Sequence, residues 1–356
     1  MHGNRTMAPE WHNIDAVMLA WPHAQTDWAP WLEDARATYL NVIAAVNRND
    51  AGVILLCAPS DVDDLNSRLP ENARVLIVPA SFNDTWMRDY GFITCKDSEG
   101  NGSPVEFRFN GWGNKFNAAE DNLANQRYLA SMCKSVLRSS PIVAEGGALE
   151  IDEDGHLLST AQCLLNPERN GDMSLSAYED AFKDMLGCSK VTILQHGHLE
   201  GDDTDGHIDT LVRFTPNKGL VIQACNNRTN DSHFEGLKAL CDECALELPE
   251  HEQFHLPLPN IVNDEGDRLP ASYANYLICN NAILLPVYGE EEEEDAEAIE
   301  TVQRAHPNHI VEPIDCSVLV RQYGSLHCIS MQVPTNTLKD SIITTLKKGV
   351  SLHAPS

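Results

Sequence analysis

Basic residues are scarce in this sequence: 25 Lys and Arg stand against 53 Asp and Glu, a net charge of −28 over 356 residues. Phosphate binding needs clustered Lys and Arg, so nucleic acid and anionic membrane are poor partners for such a surface. A small cationic substrate would be drawn to it; the plainer alternative is an acidic surface that only confers solubility. The sequence also lacks any apolar stretch of about 18 residues, which argues against a membrane-spanning helix. Its first segment, MHGNRTMAPEWHNIDAVMLAW, has no basic start followed by an unbroken apolar run and does not read as a signal peptide. No clear linker and no Ser/Gly-rich or low-complexity stretch interrupts the chain, so a single domain over 1–356 is expected. The 11 cysteines are odd in number and irregularly spaced. Without an export signal they are expected as thiols rather than a disulfide framework, in a cytoplasmic protein.

What is present is a succession of short apolar runs, at 53–59, 74–80, 191–194, 219–225, 276–287 and 316–322. They are rich in β-branched residues and bounded by Pro, Gly, Asn or Asp, so they read as buried strands. Between them lie segments with apolar residues at three- and four-residue spacing, at 31–48, 120–137, 176–187, 235–248 and 294–306, which read as helices. About five strand-plus-helix units in succession argue for an α/β fold, as a doubly wound sheet or a barrel. The loops between them hold the unusual residues, where chemistry commonly resides.

Cys328, in Gly-Ser-Leu-His-Cys, follows a Gly turn and sits beside His327. Most cysteines are structural, but a nucleophilic thiol needs only a base and a thiolate-favouring environment brought to it by the fold. His207, in GDDTDGHID, precedes Asp209 by two positions; if this edge is extended, both side chains face one side. A metal site is the rival there. The EF-hand pattern fails, because Gly201 and Val212 would fall at its first and twelfth ligand positions. Asp89 sits in Trp-Met-Arg-Asp-Tyr-Gly, where the plain reading is an Arg88–Asp89 surface pair. Glu145 precedes Gly146 and Gly147, where a turn with positive φ is the plain alternative. Trp86 and Trp112 either fill the core or wall a planar cation. Cys241 and Cys244, with His251 and His255 downstream, hint at zinc, but the spacing is short and both cysteines fall on one helix-period segment, so packed helix cysteines are expected. The acidic run Glu290 to Glu294 with Asp295 reads as a solvated loop or helix start.

Taken together and in order, Pro9-Glu10-Trp11, Trp21-Pro22-His23, Trp86-Met87-Arg88-Asp89, Trp112-Gly113, Glu145-Gly146-Gly147, Leu164-Leu165-Asn166-Pro167, Gly201 through Asp209 and His327-Cys328-Ile329 resemble the agmatine deiminase and bacterial peptidyl-arginine deiminase family, part of the guanidino-group-modifying superfamily. The resemblance implies an α/β propeller (pentein): five ββαβ-type modules around a pseudo-fivefold axis. It implies that Cys328 is the nucleophile, His207 the general acid/base, Asp89 and Asp209 the carboxylates that grip the guanidinium, and Glu145 the acid that orients the catalytic His. Departures from the family pattern are Tyr323-Gly324-Ser325-Leu326 before His327, Phe92 after the Arg-Asp-x-Gly segment, and Asn114-Lys115 after Trp112-Gly113. They spare the catalytic side chains and leave the substrate tail open.

Such a set would support attack of the Cys328 thiolate on the guanidinium carbon, loss of ammonia and hydrolysis of a covalent thiouronium, with no metal and no other cofactor. The expected substrate is agmatine, giving N-carbamoylputrescine on the route to putrescine. Free or peptidyl arginine is the alternative substrate, and a non-catalytic binding protein on the same scaffold the alternative class. A homo-oligomer is left open.

Overall fold

Most of the β-branched runs form strands and most of the periodic segments form helices, giving a mixed α/β fold. The computed structural model describes residues 5–289 and 292–353. Glu290 and Glu291 of the acidic run and the first four residues of the N-terminal segment lie outside the described residues. The chain divides into two compact units, one of Met1–Gly146, Met185–Gly187 and Cys328–Ser356, the other of Gly147–Asp184 and Cys188–His327.

The first unit holds two sheets. In the five-stranded sheet the order is Met331–Pro334, Ile14–Ala20, Gly52–Cys57, Val75–Pro79, Ser351–Leu352. Ile14–Ala20 pairs antiparallel with Met331–Pro334 and parallel with Gly52–Cys57. The connection between those two parallel strands is the helix Leu32–Arg48, which buries Ala35, Tyr39, Val42, Ile43 and Val46. Every residue of Gly52–Cys57 is buried, as expected of a central parallel strand covered on both faces. Gly52 permits this packing: a Cβ there would lie 3.0 Å from a methyl of Leu346, on the helix Asp340–Leu346. The second sheet orders Arg5–Met7, Ile93–Asp97, Gly102–Arg108 and Arg138–Val143, with only the last pair parallel.

The second unit holds three three-stranded sheets built alike. Glu150–Ile151 with His156–Thr160, Val212–Phe214 with Gly219–Gln223, and Leu277–Cys279 with Ala282–Val287 are antiparallel pairs. Each is followed by helical structure and then by a strand parallel to the second of the pair: Lys190–Leu194, Glu252–Leu256 and Ile310–Asp315. The intervening helices include Leu175–Leu186, Phe234–Glu247 and Glu292–Ala305. Glu292 to Asp295 fill the first turn of the last, where acidic groups meet the positive end of the helix dipole. Buried Arg213 ties the three sheets together: it pairs with Glu150 at 3.0 Å and donates to the carbonyls of Ala274 and Tyr276.

Three expectations fail. The segment 120–137 is not one α-helix but a run of short 3₁₀ and π turns, Asp121–Leu123, Asn125–Leu129 and Ala130–Met132, stopped by extended Cys133. Its polar side chains are turned inward to hold a neighbouring loop, as described below. The run 316–322 is no strand: its leucine and valine sit in the turn Leu319–Gln322, buried, with the Cys316 carbonyl accepting from Leu319 and Val320. The run 276–287 is two strands, not one, reversed at Asn280 with φ of 51°. Cys241 and Cys244 are buried on the helix Phe234–Glu247, as the period implied. Among the described residues, which include every cysteine, no disulfide forms. Among the same residues no helix is long and apolar enough to cross a membrane.

Candidate active site

Five of the seven residues singled out in the sequence lie in the first unit: Trp86, Asp89, Trp112, Glu145 and Cys328. All are buried. The loop that leaves Val75–Pro79 is braced by side chains from the turns at 121–132. Asp121 accepts the backbone N–H of Asn83 at 2.6 Å and of Asp84 at 3.2 Å, and Asn125 accepts that of Phe92 while donating to the carbonyl of Tyr90. Burial pushes the Asp121 carboxyl up to about 8 and that of Asp84 up to about 6. The braced loop ends in the one-turn helix Met87–Tyr90, buried at every residue.

Arg88 and Asp89 do not form a surface pair. The Arg88 guanidinium pairs with Glu10 at 3.0 Å and donates to Gln332, and its backbone N–H donates to the carbonyl of Cys328 at 3.0 Å. Asp89 accepts a hydrogen bond from Trp112 Nε1 at 2.9 Å. Trp112 sits in a left-handed run, Gly111, Trp112, Gly113 and Asn114 having φ of 69°, 56°, 81° and 62°. The Asn110 side chain accepts the N–H of Gly113, and the indole is held edge-on by Phe109 and Phe116. Trp86 packs on Trp28, whose Nε1 donates to Thr85 at 2.9 Å.

Glu145 follows the strand Arg138–Val143 and is fully buried. The glycine after it is not there to supply a positive φ. A Cβ on Gly146 would stand 2.1 Å from the carbonyl oxygen of Arg88 and 2.9 Å from the Met331 methyl, so close approach is what that position requires. The backbone of Arg88, just before Asp89, therefore lies against both Gly146, which follows Glu145, and the backbone of Cys328.

His207 and Asp209 lie in the second unit. The loop before them is internally capped: Asp202 accepts the N–H groups of Thr204 and Gly206, and Asp205 pairs with Arg169 at 2.7 Å. Residues 207 and 209 are not on one extended edge. Ile208–Thr210 is a tight turn, closed by Thr210, whose N–H and hydroxyl both donate to the His207 carbonyl, and the strand begins only at Val212. Both side chains are buried. Asp209 accepts from Nδ1 of His327 at 2.7 Å. Burial alone would raise the Asp209 carboxyl; the His327 hydrogen bond, with the positive charges of His327, His207 and Arg213, outweighs it and holds the carboxyl below its ordinary range. His327 is itself fixed, its N–H donating to the side-chain and backbone oxygens of Asn275. No role for His327 is legible in the sequence beyond its adjacency to Cys328.

The first unit supplies a buried carboxylate with a ring N–H on one oxygen, a thiol and a further buried acid; the second supplies a buried carboxylate with a ring N–H on one oxygen and the imidazole of His207. The family model for Porphyromonas-type peptidyl-arginine deiminase matches residues 6–334. An arginine deiminase candidate from Porphyromonas gingivalis is 38% identical, with a TM-score of 0.86 over 94% of this chain and 100% of that one. An agmatine deiminase of C. jejuni, solved with its substrate bound, is 31% identical with a TM-score of 0.86 over 94% of this chain and 97% of that one. An agmatine deiminase candidate of Mycoplasma mycoides subsp. mycoides SC is 30% identical over 92% of this chain and 95% of its own. The chain belongs to the Porphyromonas-type peptidyl-arginine deiminase family.

Proposed function

We propose that this chain hydrolyses the guanidinium group of agmatine to N-carbamoylputrescine and ammonia through a covalent intermediate on Cys328. The observation that carries the reading is that Asp89 in the first unit and Asp209 in the second are each buried and each oriented by a ring nitrogen. Paired carboxylates suit a planar cation, which they hold through charge-assisted hydrogen bonds. Held so, the guanidinium carbon is presented to the thiolate of Cys328, and the bound cation favours that thiolate. Attack forms a C–S bond and a tetrahedral centre. His207 gives its proton to the leaving nitrogen, the C–N bond breaks, and ammonia departs. His207 then takes a proton from water, whose oxygen attacks the thiouronium carbon; the C–S bond breaks and the ureido product leaves. Glu145 orients His207. Trp86 and Trp112 bound the space around the substrate.

Five modules around a pseudo-fivefold axis form the finer reading of the fold. It is supported by the five sheets among the described residues, each of which contains an antiparallel pair followed by a parallel strand. The acidic chain suits a small dication in the cytoplasm better than nucleic acid or membrane.

Arginine, free or peptidyl, is the second reading, favoured by the 38% identity to the P. gingivalis arginine deiminase candidate. Rates measured side by side on agmatine, arginine and a blocked arginine peptide separate the two. Agmatine turned over fastest supports the first reading; faster citrulline formation from either arginine substrate replaces it with the second.

A further inference from the structure

We propose that Trp112 is a positioning residue for the reaction: its indole N–H, rather than its apolar face, sets the plane in which Asp89 meets the guanidinium. The inference rests on the deimination reading and assigns Trp112 a task that a simple apolar wall would not have.

An aspartate carboxylate turns about two side-chain bonds and can present either oxygen over a wide arc. Bidentate recognition of a guanidinium needs both oxygens in the cation's plane. The Asp89 backbone is already fixed by the buried helix Met87–Tyr90 and by the N–H of Arg88 on the Cys328 carbonyl. What remains is rotation of the side chain, which the hydrogen bond from Trp112 Nε1 to Oδ2 at 2.9 Å restrains.

The loop around Trp112 is built for this contact. Four successive residues at positive φ include two that are not glycine, a conformation that L side chains adopt only when their surroundings enforce it. Several features enforce it here. A Cβ on Gly111 would lie 2.2 Å from the carbonyl oxygen of Phe116, so the loop closes on itself at that point. Asn110 caps Gly113 at 2.9 Å. Phe109 and Phe116 meet the indole at interplanar angles of 86° and 87°, which stops the ring from turning. A wall over a substrate needs an apolar surface, and phenylalanine on an ordinary loop would supply one. A strained loop that aims a single N–H at one carboxylate oxygen is what a fixed donor requires.

The test replaces the N–H while keeping the ring. Site-specific incorporation of 3-benzothienylalanine at position 112 preserves the bicyclic shape and puts sulfur where the N–H was; Trp112→Phe is the second variant, with the unfolding midpoint of each as a check on the loop. Both variants should keep a cooperative unfolding transition and lose roughly tenfold or more in kcat/KM, the scale of a hydrogen bond to a charged group. In a Cys328→Ala background, substrate affinity should fall by the same factor on removal of the N–H, and Asp89→Asn should abolish that dependence, since both changes remove one interaction. Wild-type kcat/KM in the benzothienylalanine protein overturns the proposal and leaves the deimination reading standing. A wild-type protein that turns over no guanidinium substrate overturns both.

Discussion

His327 Nδ1 lies 2.7 Å from Asp209 Oδ2, and the residue that follows His327 in the chain is Cys328. The ionised carboxylate accepts, so Nδ1 carries the proton. One imidazole thereby holds a proposed guanidinium-gripping acid within the second unit. Its own backbone is pinned on Asn275 at 3.0 Å, so the carboxylate is referred to a rigid point.

Removing that imidazole leaves a buried carboxylate without one of its donors. His327→Ala should destabilise the protein by about 2–4 kcal/mol in denaturant unfolding, and His327→Gln by less. The sign of the pH effect follows from the depressed Asp209 carboxyl. Its contribution to stability is present above the unfolded carboxylate value and is lost as pH falls through the lower folded one. Loss of His327 raises the folded value, so in His327→Ala the acid-side loss of stability and of activity should begin at higher pH than in the wild type. An unchanged acid limb in both profiles would contradict the role given to His327.

Gly146 is a second point of leverage. A methyl group there meets the Arg88 carbonyl at 2.1 Å, and backbone cannot yield as a side-chain tip can. Gly146→Ala should cost about 1–3 kcal/mol of stability, the usual scale of overpacking. It should also reduce kcat/KM, because the displaced residue is the neighbour of Asp89. Urea unfolding and steady-state rates on one preparation measure both; wild-type values in both would mean that the close contact is not what Gly146 is for.

Stability should also fall on mild acidification through a group remote from the chemistry. His306 is buried beside Tyr276; burial, with the charges of His309 and Arg213, pulls its imidazole down to about 3. The unfolded chain takes up this proton near pH 6.5 and the folded chain does not. The contribution is therefore complete above pH 6.5 and declines by up to about 1.4 kcal/mol per unit as pH falls towards 3. In His306→Phe the slope of unfolding free energy against pH between 6 and 4 should flatten; an unaltered slope would contradict this.

Local pattern made some of the structure legible and left some hidden. The helices Leu32–Arg48 and Phe234–Glu247 carry apolar residues at helical spacing with little else to do, and they stand where the period put them. The segment 120–137 carries the same period, but Asp121 and Asn125 are used to hold the backbone at 83–92, and that tertiary demand breaks the helix into turns. His207 and Cys328 stand out in the sequence because Gly and polar residues surround them in loops. The extended geometry inferred for 207 and 209 failed because Thr210 closes a turn on the His207 carbonyl, which the alternation rule does not see. The Trp112–Asp89 and His327–Asp209 hydrogen bonds join positions 23 and 118 residues apart, so no local pattern encodes them.

The most direct test of the central claim is to look for the bond on Cys328. Enzyme mixed with agmatine and quenched in acid within the first turnovers, then digested and analysed by mass spectrometry, should carry the substrate-derived amidine on the peptide containing Cys328, with ammonia already released. N-carbamoylputrescine should then appear in equal amount to ammonia, and Cys328→Ala should yield neither adduct nor product. Product formation by Cys328→Ala, or turnover with ammonia and ureido product but an adduct on a different residue, would contradict the account.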